Sequence, residues 1–260
     1  MRRPDTTTMR RLLLCADLFG AASARQIVIA CAGDSVTQGG HGGGGDWPGW
    51  LEEHLEETGD YLPDHFKVLN LGRSGATAMR DTDRPYAEED EYEELLDSGF
   101  DLAIVTLGTN DAKEEFWEGK SAFKKDYKRL IKDIQKKGGE VALGIPVPYL
   151  GGSGKWGDDR SIINEDLGAA VREVADDLGI ERVVDFYGAL GGNDPKEKYF
   201  HDPIHPNDDG YERLGLEALK TVQEFEEARL GALTPRPTPR PTCSTGASKI
   251  VVSFENPLVS

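Results

Sequence analysis

Cysteine is scarce in this chain of 260 residues, and long hydrophobic runs are absent. The three cysteines, Cys15, Cys31 and Cys243, are too few for a disulfide framework, and they leave the redox compartment open. Cys31 lies in an apolar segment, where we expect it to be a small buried hydrophobic residue. No stretch reaches the roughly 18 consecutive apolar residues of a membrane-spanning helix, so we expect no integral membrane segment.

Positive charge is also in deficit, because 30 lysines and arginines stand against 47 aspartates and glutamates, a net charge of −17. Such a surface repels nucleic-acid phosphates and anionic membranes, and we expect neither as a partner. We expect instead a substrate that is a small molecule, neutral or weakly charged, because the acidic surface does not repel it. The balance of 38% hydrophobic and 30% charged residues is that of a folded globular chain, whose oligomeric state the composition leaves open.

Residues 1–24 resemble a secretory signal peptide. Arg10 and Arg11 precede a short apolar run, and Ala22 to Ala24 offers the small-x-small pattern of a cleavage site. Asp17 inside the apolar stretch is unusual for a signal, and a disordered leader is the alternative. A signal would make the protein secreted or place it in the secretory pathway, whereas without one we expect a cytoplasmic protein.

Proline becomes dense near the other end of the chain. Residues 234–242 contain two copies of Thr-Pro-Arg-Pro followed by threonine, which can neither continue a helix nor join a sheet. We therefore expect residues 231–260 to form an extended linker and a short tail. Residues 25–230 are then the folded domain, long enough for one α/β domain with a sizeable core.

Five apolar runs alternate with amphipathic segments in this domain. The runs are rich in valine, isoleucine and leucine without polar alternation, as buried parallel strands are, and apolar residues recur at helical spacing between them. The alternation predicts an α/β fold, a three-layer α/β/α sandwich around a five-stranded parallel sheet with right-handed crossovers. The predicted strands are Ile27 to Ala32, Phe66 to Leu71, Leu102 to Leu107, Val141 to Ile145 and Val183 to Phe186. The predicted helices are Trp47 to Glu57, Tyr86 to Leu96, Ser121 to Lys137, Ile162 to Leu178 and Asp208 to about Leu230.

Polar motifs follow the first three predicted strands. Gly33 to Gly39 reads Gly-Asp-Ser-Val-Thr-Gln-Gly, which places the Ser35 hydroxyl at the mouth of the sheet. Asn70 to Thr77 supplies glycines after the second strand, and Gly108 to Asp111 supplies an asparagine after the third. In open α/β sheets, ligands bind at the carboxyl ends of the strands. The three motifs are therefore expected around one site.

A fourth motif, from His201 to Asn207, precedes the last predicted helix. A serine hydroxyl is a weak nucleophile until a base takes its proton, and histidine is the suitable base near neutral pH. We expect His205 to be the base for Ser35. Asp202, three residues before it in a proline-stiffened loop, can bend back to the His205 Nδ1 and orient the ring.

The oxyanion that would develop during attack by Ser35 needs hydrogen-bond donors already in place. The candidates are the Ser35 N–H, the Gly75 N–H and the side-chain amide of Asn110. Gly72 is the alternative to Gly75, and the Asn-x-Gly-x-Ser-Gly spacing favours Gly75. Each motif alone is common, but all four in this order form a specific combination.

Together the segments resemble the four signature blocks of SGNH (GDSL-like) hydrolases: Gly-Asp-Ser, the second-block glycine, Gly-x-Asn-Asp and Asp-x-x-His. The resemblance covers roughly residues 26–225. It implies a flavodoxin-like sandwich of strand order 2-1-3-4-5 and the roles given above for the serine, aspartate, histidine, glycine and asparagine. It also implies a serine esterase that removes acyl groups from carbohydrates, lipids, thioesters or small esters, with no metal or organic cofactor. Val36 stands where the commonest family motif has leucine, a minor departure.

One further segment resembles carbohydrate O-acetylesterases of this superfamily, including sialate-type ones: Leu107 to Lys113, then Trp117, then Phe123 to Tyr127. This similarity implies a short acyl group, such as acetate, on a sugar hydroxyl. Trp117 would stack on the sugar, or else only pack its helix against the sheet. Asp34 and Asp111 are further candidates for substrate binding. The alternatives are a lysophospholipase or thioesterase-type acyl hydrolase, and a non-catalytic carbohydrate-binding module on the same scaffold.

Two other patterns are set aside. Gly40 to Gly45 matches the dinucleotide-binding glycine pattern, but other residues separate it from the strand, so we expect a flexible lip beside the nucleophile instead. His201, Asp202 and His205 could share a metal, but the sequence shows no further ligand cluster and we expect no metal site.

Overall fold

The computed structural model describes residues 25–41, 44–151 and 161–233. Its centre is a sheet of five parallel strands in the order β2-β1-β3-β4-β5. The strands are β1 (Ile27–Gly33), β2 (Phe66–Gly72), β3 (Leu102–Thr106), β4 (Glu140–Gly144) and β5 (Val183–Val184). The predicted strand order is confirmed, and each predicted run overlaps one strand.

Helices connect consecutive strands, and two more helices follow the last strand. They are α1 (Ser35–Gln38), α2 (Trp47–Glu57), α3 (Asp90–Asp97), α4 (Lys120–Gln135), α5 (Gly168–Leu178), α6 (Phe186–Ala189) and α7 (Asp208–Leu233). β5 is shorter than predicted because Asp185 leaves the strand, and its side chain accepts a hydrogen bond from the Gly188 N–H at the start of α6. The helix predicted over Ile162 to Leu178 begins as a π-helical turn, Ile162–Leu167, before α5.

The helix predicted over Tyr86 to Leu96 is interrupted. A 3-10 turn covers Tyr86–Glu88, Glu89 is extended with φ −96° and ψ 153°, and α3 starts at Asp90. The Glu89 carboxylate lies 2.7 Å from the Arg73 Nε, in the loop after β2. This ion pair connects the break in the helix to the loop that follows the second strand.

Two hydrophobic cores cover the two faces of the sheet, as a three-layer sandwich requires. Alternate residues of β1 enter different cores: Ala30 and Ala32 face one, and Ile29 and Cys31 face the other. The first core is filled from α3, α4 and α5 by side chains such as Leu95, Phe123, Ile131 and Val171. The second is filled from α2 and α7 by Leu51, Leu55, Leu214 and Val222, among others. Cys31 is fully buried, as predicted.

The register of the central strands positions the site. Gly33, at the end of β1, pairs with Gly72 of β2 on one side and with Thr106 of β3 on the other. The three strands therefore end at the same level, and the three motifs that follow them leave the sheet at one edge.

The expected leader and most of the expected tail lie outside the described residues, as do Cys15 and Cys243. The signal peptide and the linker therefore stay predictions. α7 continues past the predicted domain end at residue 230, to Leu233. None of the helices in the described part of the chain is long and apolar enough to span a bilayer.

Candidate active site

Ser35 and His205 meet at the carboxyl edge of the sheet. Ser35 Oγ lies 2.9 Å from His205 Nε2, although 170 positions separate the two residues. On the other side of the ring, His205 Nδ1 lies 2.8 Å from Asp202 Oδ2. Carboxylate, imidazole and hydroxyl thus form one continuous series of contacts at hydrogen-bonding distance.

A tight loop before α7 brings the Asp202 side chain back towards His205, three residues later in the chain. Asp202 Oδ1 accepts hydrogen bonds from the N–H groups of Ile204 (2.9 Å) and His205 (2.8 Å). Burial acts to raise the pKa of Asp202, but these bonds and the one from the His205 ring outweigh burial, and the pKa lies below its usual value. Asp202 is therefore ionised near neutral pH and favours the His205 tautomer that carries its proton on Nδ1.

Ser35 is the first residue of α1, directly after β1. Asp34 caps this short helix, because its Oδ1 accepts a hydrogen bond from the Val36 N–H at 2.9 Å. At Gly33, an added Cβ would lie 2.2 Å from Thr37 Oγ1, so the sharp turn from strand to helix requires glycine. Asp34 is only 2% exposed. Its carboxylate holds the turn and does not reach the surface, which does not fit the substrate contact expected for it.

The loop after β2 is joined to the loop after β3. Asn110 Nδ2 donates a hydrogen bond to the Ala76 carbonyl at 3.1 Å. The neighbouring Gly75 has a φ of +83°, a conformation that favours glycine. Gly72 instead packs closely on α1, and its N–H donates to Asn70 Oδ1 at 3.0 Å. Because the Gly72 N–H is already engaged, Gly75 is the better candidate for an oxyanion donor.

Asp111 joins the same two loops from within the core. Its carboxylate is fully buried and accepts hydrogen bonds from the N–H groups of Ala78 (3.1 Å) and Met79 (2.7 Å). Burial raises the pKa of Asp111 to about 6, although the backbone donors oppose the shift. Asp111 therefore links the two loops from within, and its lack of exposed surface does not fit the substrate contact suggested for it by the sequence.

These groups all lie within the part of the chain that one family model matches. The family model described as the GDSL-like Lipase/Acylhydrolase family matches residues 31–213, a span that includes every residue of the site described so far. The chain belongs to this family. The SGNH resemblance and the expectation of a carboxylic ester hydrolase are thereby confirmed at the level of the family.

Known proteins similar to this GDSL-like chain include esterases that act on acetylated carbohydrate. An acetylxylan esterase from Xylanibacter ruminicola is 29% identical over 207 residues, which cover 72% of this chain and 41% of that protein. The chain thus spans less than half the length of this curated relative.

Many solved structures share the fold of the GDSL-like chain, and two of them illustrate it. Est24, a carbohydrate acetylesterase from Sinorhizobium meliloti, superposes with a TM-score of 0.59 at 19% identity, covering 77% of this chain and 100% of Est24. The aryl esterase of M. smegmatis superposes with a TM-score of 0.60 at 20% identity, covering 76% and 99%. At these identities the superpositions show the fold alone, which is the SGNH sandwich.

Trp117 is half-buried beside α4 of the GDSL-like domain. Its ring centroid lies 5.9 Å from that of Phe123, and the ring packs against the first hydrophobic core. Of the two roles considered for Trp117, packing is the one for which the structure provides a contact.

His41 is a site residue that the sequence motifs do not predict. Its ring stacks on the ring of His205, with centroids 3.7 Å apart and planes inclined by 18°. The only signal for it in the sequence was a single histidine within the run of glycines that follows the Gly-Asp-Ser motif of this GDSL-like chain. That run was expected to form a lip beside the nucleophile, but its histidine was not assigned to the site.

His201 does not join His205 around a common centre. Its side chain is exposed, while its backbone N–H donates to the His205 carbonyl at 2.9 Å. Within residues 25–41, 44–151 and 161–233, no group of three or more histidine, cysteine, aspartate or glutamate side chains is arranged to hold a metal ion.

Proposed function

We propose that this domain is a serine esterase that hydrolyses carboxylic esters through an acyl-enzyme, with short acyl groups such as acetyl on carbohydrate as its substrates. The observation that carries the proposal is the contact series from Ser35 Oγ through both His205 nitrogens to Asp202, with distances of 2.9 and 2.8 Å. A nucleophile, a base and a group that orients the base are the elements that acyl transfer to a serine needs.

In the first step, Ser35 Oγ attacks the ester carbonyl carbon while His205 Nε2 takes the hydroxyl proton. Ionised Asp202 stabilises the imidazolium that results. The tetrahedral intermediate then collapses, the bond to the alcohol oxygen breaks, and His205 donates its proton to the departing alcohol. In the second step His205 removes a proton from water, and the water oxygen attacks the carbonyl carbon of the acyl-serine. The bond from that carbon to Ser35 Oγ then breaks, His205 returns its proton to Ser35 Oγ, and the carboxylic acid is released.

The developing oxyanion is held by the Ser35 N–H, the Gly75 N–H and the Asn110 amide. Asn110 Nδ2 carries two hydrogens, and the bond to the Ala76 carbonyl uses one of them. That bond restrains the amide and leaves its second hydrogen available, and we assign this hydrogen to the oxyanion. Loss of one such donor typically reduces the rate by about 10²- to 10³-fold.

The substrate class is supported by the relatives that share the family. The similar Xylanibacter ruminicola protein is an acetylxylan esterase, and Est24 is a carbohydrate acetylesterase. The acidic chain, with its net charge of −17, suits a neutral glycan better than a phospholipid surface.

The decisive experiment measures acetate release from acetylated xylo-oligosaccharides and from other acetylated sugars, beside hydrolysis of longer acyl esters and acyl thioesters. We expect acetate release by the wild-type protein and at least a 10³-fold loss in the Ser35→Ala variant. Ser98→Ala is the matched control, because the Ser98 hydroxyl donates to the Leu95 carbonyl at the end of α3.

A fluorophosphonate probe tests the nucleophile separately, and it should label the wild-type protein and not Ser35→Ala. Undiminished acetate release by Ser35→Ala would remove Ser35 from the mechanism. Hydrolysis restricted to long acyl chains would favour a lysophospholipase or thioesterase. Sugar binding without probe labelling or turnover would identify a binding module.

A further inference from the structure

His41 is held in place by a loop built from glycines. Gly39 and Gly40 have φ values of +76° and +78°, which residues with a side chain rarely adopt. The Gly40 N–H donates to the Gly45 carbonyl at 3.0 Å, and the Gly44 N–H donates to the His41 carbonyl at 3.2 Å. The chain therefore turns back on itself around His41, immediately after α1.

The same loop is anchored to the segment that carries His205. The Gly45 N–H donates to Asp208 Oδ1 at 3.1 Å, and Asp208 is the first residue of α7, three positions after His205. The loop that carries His41 is thus fixed at one end to the nucleophile helix and at the other to the start of α7. The placement of His41 over His205 follows from both attachments.

The stack with His41 restrains a rotation of the His205 ring that its two hydrogen bonds do not restrain. The contacts of His205 with Ser35 and Asp202 lie in the plane of the imidazole and define a line through its two nitrogens. These two bonds leave the ring free to roll about that line. His41 covers one face of the ring at a centroid distance of 3.7 Å, which is van der Waals contact, and opposes this rolling.

The charge state of His41 is set by its surroundings. The titratable side chains whose charges act on it are those of His205, Asp202 and His201, and Asp208 anchors its loop. Burial lowers the pKa of His41, and the charges of His205 and, to a lesser extent, His201 act in the same direction. The charge of Asp202 and a hydrogen bond with the Ser35 backbone oppose this shift without reversing it. His41 is therefore uncharged near neutral pH. It carries no charge at the step of the reaction in which His205 takes up a proton.

We propose that His41 is a positioning residue for the general base. It keeps the His205 ring directed at Ser35, and as an uncharged neighbour it does not oppose the imidazolium that forms on His205. This inference rests on the proposed esterase function, because it assigns His41 a role only if His205 is the base.

Three substitutions at position 41 separate the effect of the ring contact from the effect of the missing charge. His41→Ala removes the stack, His41→Phe keeps an uncharged aromatic ring, and His41→Arg keeps a planar group that stacks but carries a permanent charge. The assay is kcat and kcat/KM for p-nitrophenyl acetate between pH 5 and 9, with the melting temperature of each variant. His54→Ala is the matched control, because His54 stacks on Trp50 in α2 and not on His205.

We expect His41→Ala to lower kcat about tenfold at an unchanged melting temperature, since general-base catalysis depends on the geometry of the base. His41→Phe should recover kcat to within about threefold of wild type. His41→Arg should lower kcat and move the acid limb of kcat/KM by about half a unit or more towards lower pH, because a fixed positive charge disfavours protonation of His205. His54→Ala should match wild type throughout.

Two results would overturn the inference. The first is wild-type kcat in His41→Ala. The second is that all three variants lose kcat to the same extent and melting temperature to the same extent, while the acid limb of kcat/KM stays in place. His205→Ala distinguishes these from failure of the function itself. If His205→Ala is inactive while His41→Ala behaves as wild type, only the role of His41 is lost. If His205→Ala keeps its activity, the esterase mechanism is lost with it.

Discussion

Asp111 accepts a buried 2.7 Å hydrogen bond from the backbone N–H of Met79, which follows Gly75 in the loop after β2. A second bond from the Ala78 N–H reaches the same carboxylate. Asn110, the preceding residue, holds the Ala76 carbonyl of that loop. Two adjacent side chains after β3 therefore determine the path of the loop after β2, and with it the position of the proposed oxyanion donor.

We predict that Asp111→Asn lowers kcat by about tenfold and changes KM little. The new amide places an NH₂ group where the carboxylate accepted a backbone donor, so one of the two bonds is lost and the loop shifts. Steady-state kinetics on p-nitrophenyl acetate measure the effect. Asp97→Asn is the control, because the Asp97 carboxylate is largely exposed at the end of α3. Wild-type kcat in Asp111→Asn would show that the loop keeps its position without the carboxylate.

Asp111 also predicts a pH dependence of stability. Its pKa in the folded protein is raised from 3.8 to about 6, so between these values the folded state binds a proton that the unfolded state releases. The contribution of this group therefore favours folding at low pH and falls as pH rises from about 4 to 6, by about 3 kcal/mol in all. Urea unfolding of wild type and Asp111→Asn across this range measures the difference between their unfolding free energies. A difference that is independent of pH would contradict the shifted pKa.

Asn110→Ala is predicted to reduce kcat by about 10²- to 10³-fold, the usual effect of losing one oxyanion donor. The loss of its bond to the Ala76 carbonyl should reduce the unfolding free energy by only about 1 kcal/mol. Kinetics and thermal melting on the same preparation separate the two effects. Asn193→Ala, in the loop after α6, is the control and should leave kcat unchanged. A rate loss no larger than that of the control would exclude Asn110 as a donor.

A fourth prediction concerns an ion cluster at the opposite edge of the sheet. Glu226 of α7 is 2% exposed and pairs with His65, just before β2, at 3.0 Å and with Arg229 at 2.6 Å. Burial acts to raise the pKa of Glu226, but Arg229 and His65 outweigh it and the pKa is lowered. Glu226 therefore stabilises the fold above the pKa of an unfolded glutamate, and this contribution is lost as pH falls through the lowered value.

Glu226→Gln should lower the unfolding free energy at pH 7 by about 1–3 kcal/mol. It should leave kcat unchanged, because His65 lies before the amino end of β2 and Ser35 follows the carboxyl end of β1. Denaturant unfolding and kinetics check both parts, with exposed Glu224→Gln as the control. A loss of kcat without a loss of stability would contradict this assignment.

Much of this architecture could be predicted from composition and spacing. Buried parallel strands require apolar runs such as those that became β1 and β3, and helical spacing marked α4 because its core face recurs with the helical period. Ser35, Asn110, Asp202 and His205 could be expected at one site because parallel strands bring their carboxyl ends to the same edge. These inferences depend on local periodicity and on topology, both of which can be deduced from the amino-acid sequence.

Tertiary structure alone decided where the loop side chains point. Asp111 follows a motif that suggested a substrate contact, yet the packing of two loops turns its carboxylate inward to backbone donors. His41 stands in a run of glycines whose sequence allows many conformations, and bonds to distant residues select the one that stacks it on His205. The physical reason is the same in both cases: the direction of a side chain in a loop is set by partners far away in sequence, which local propensity does not encode.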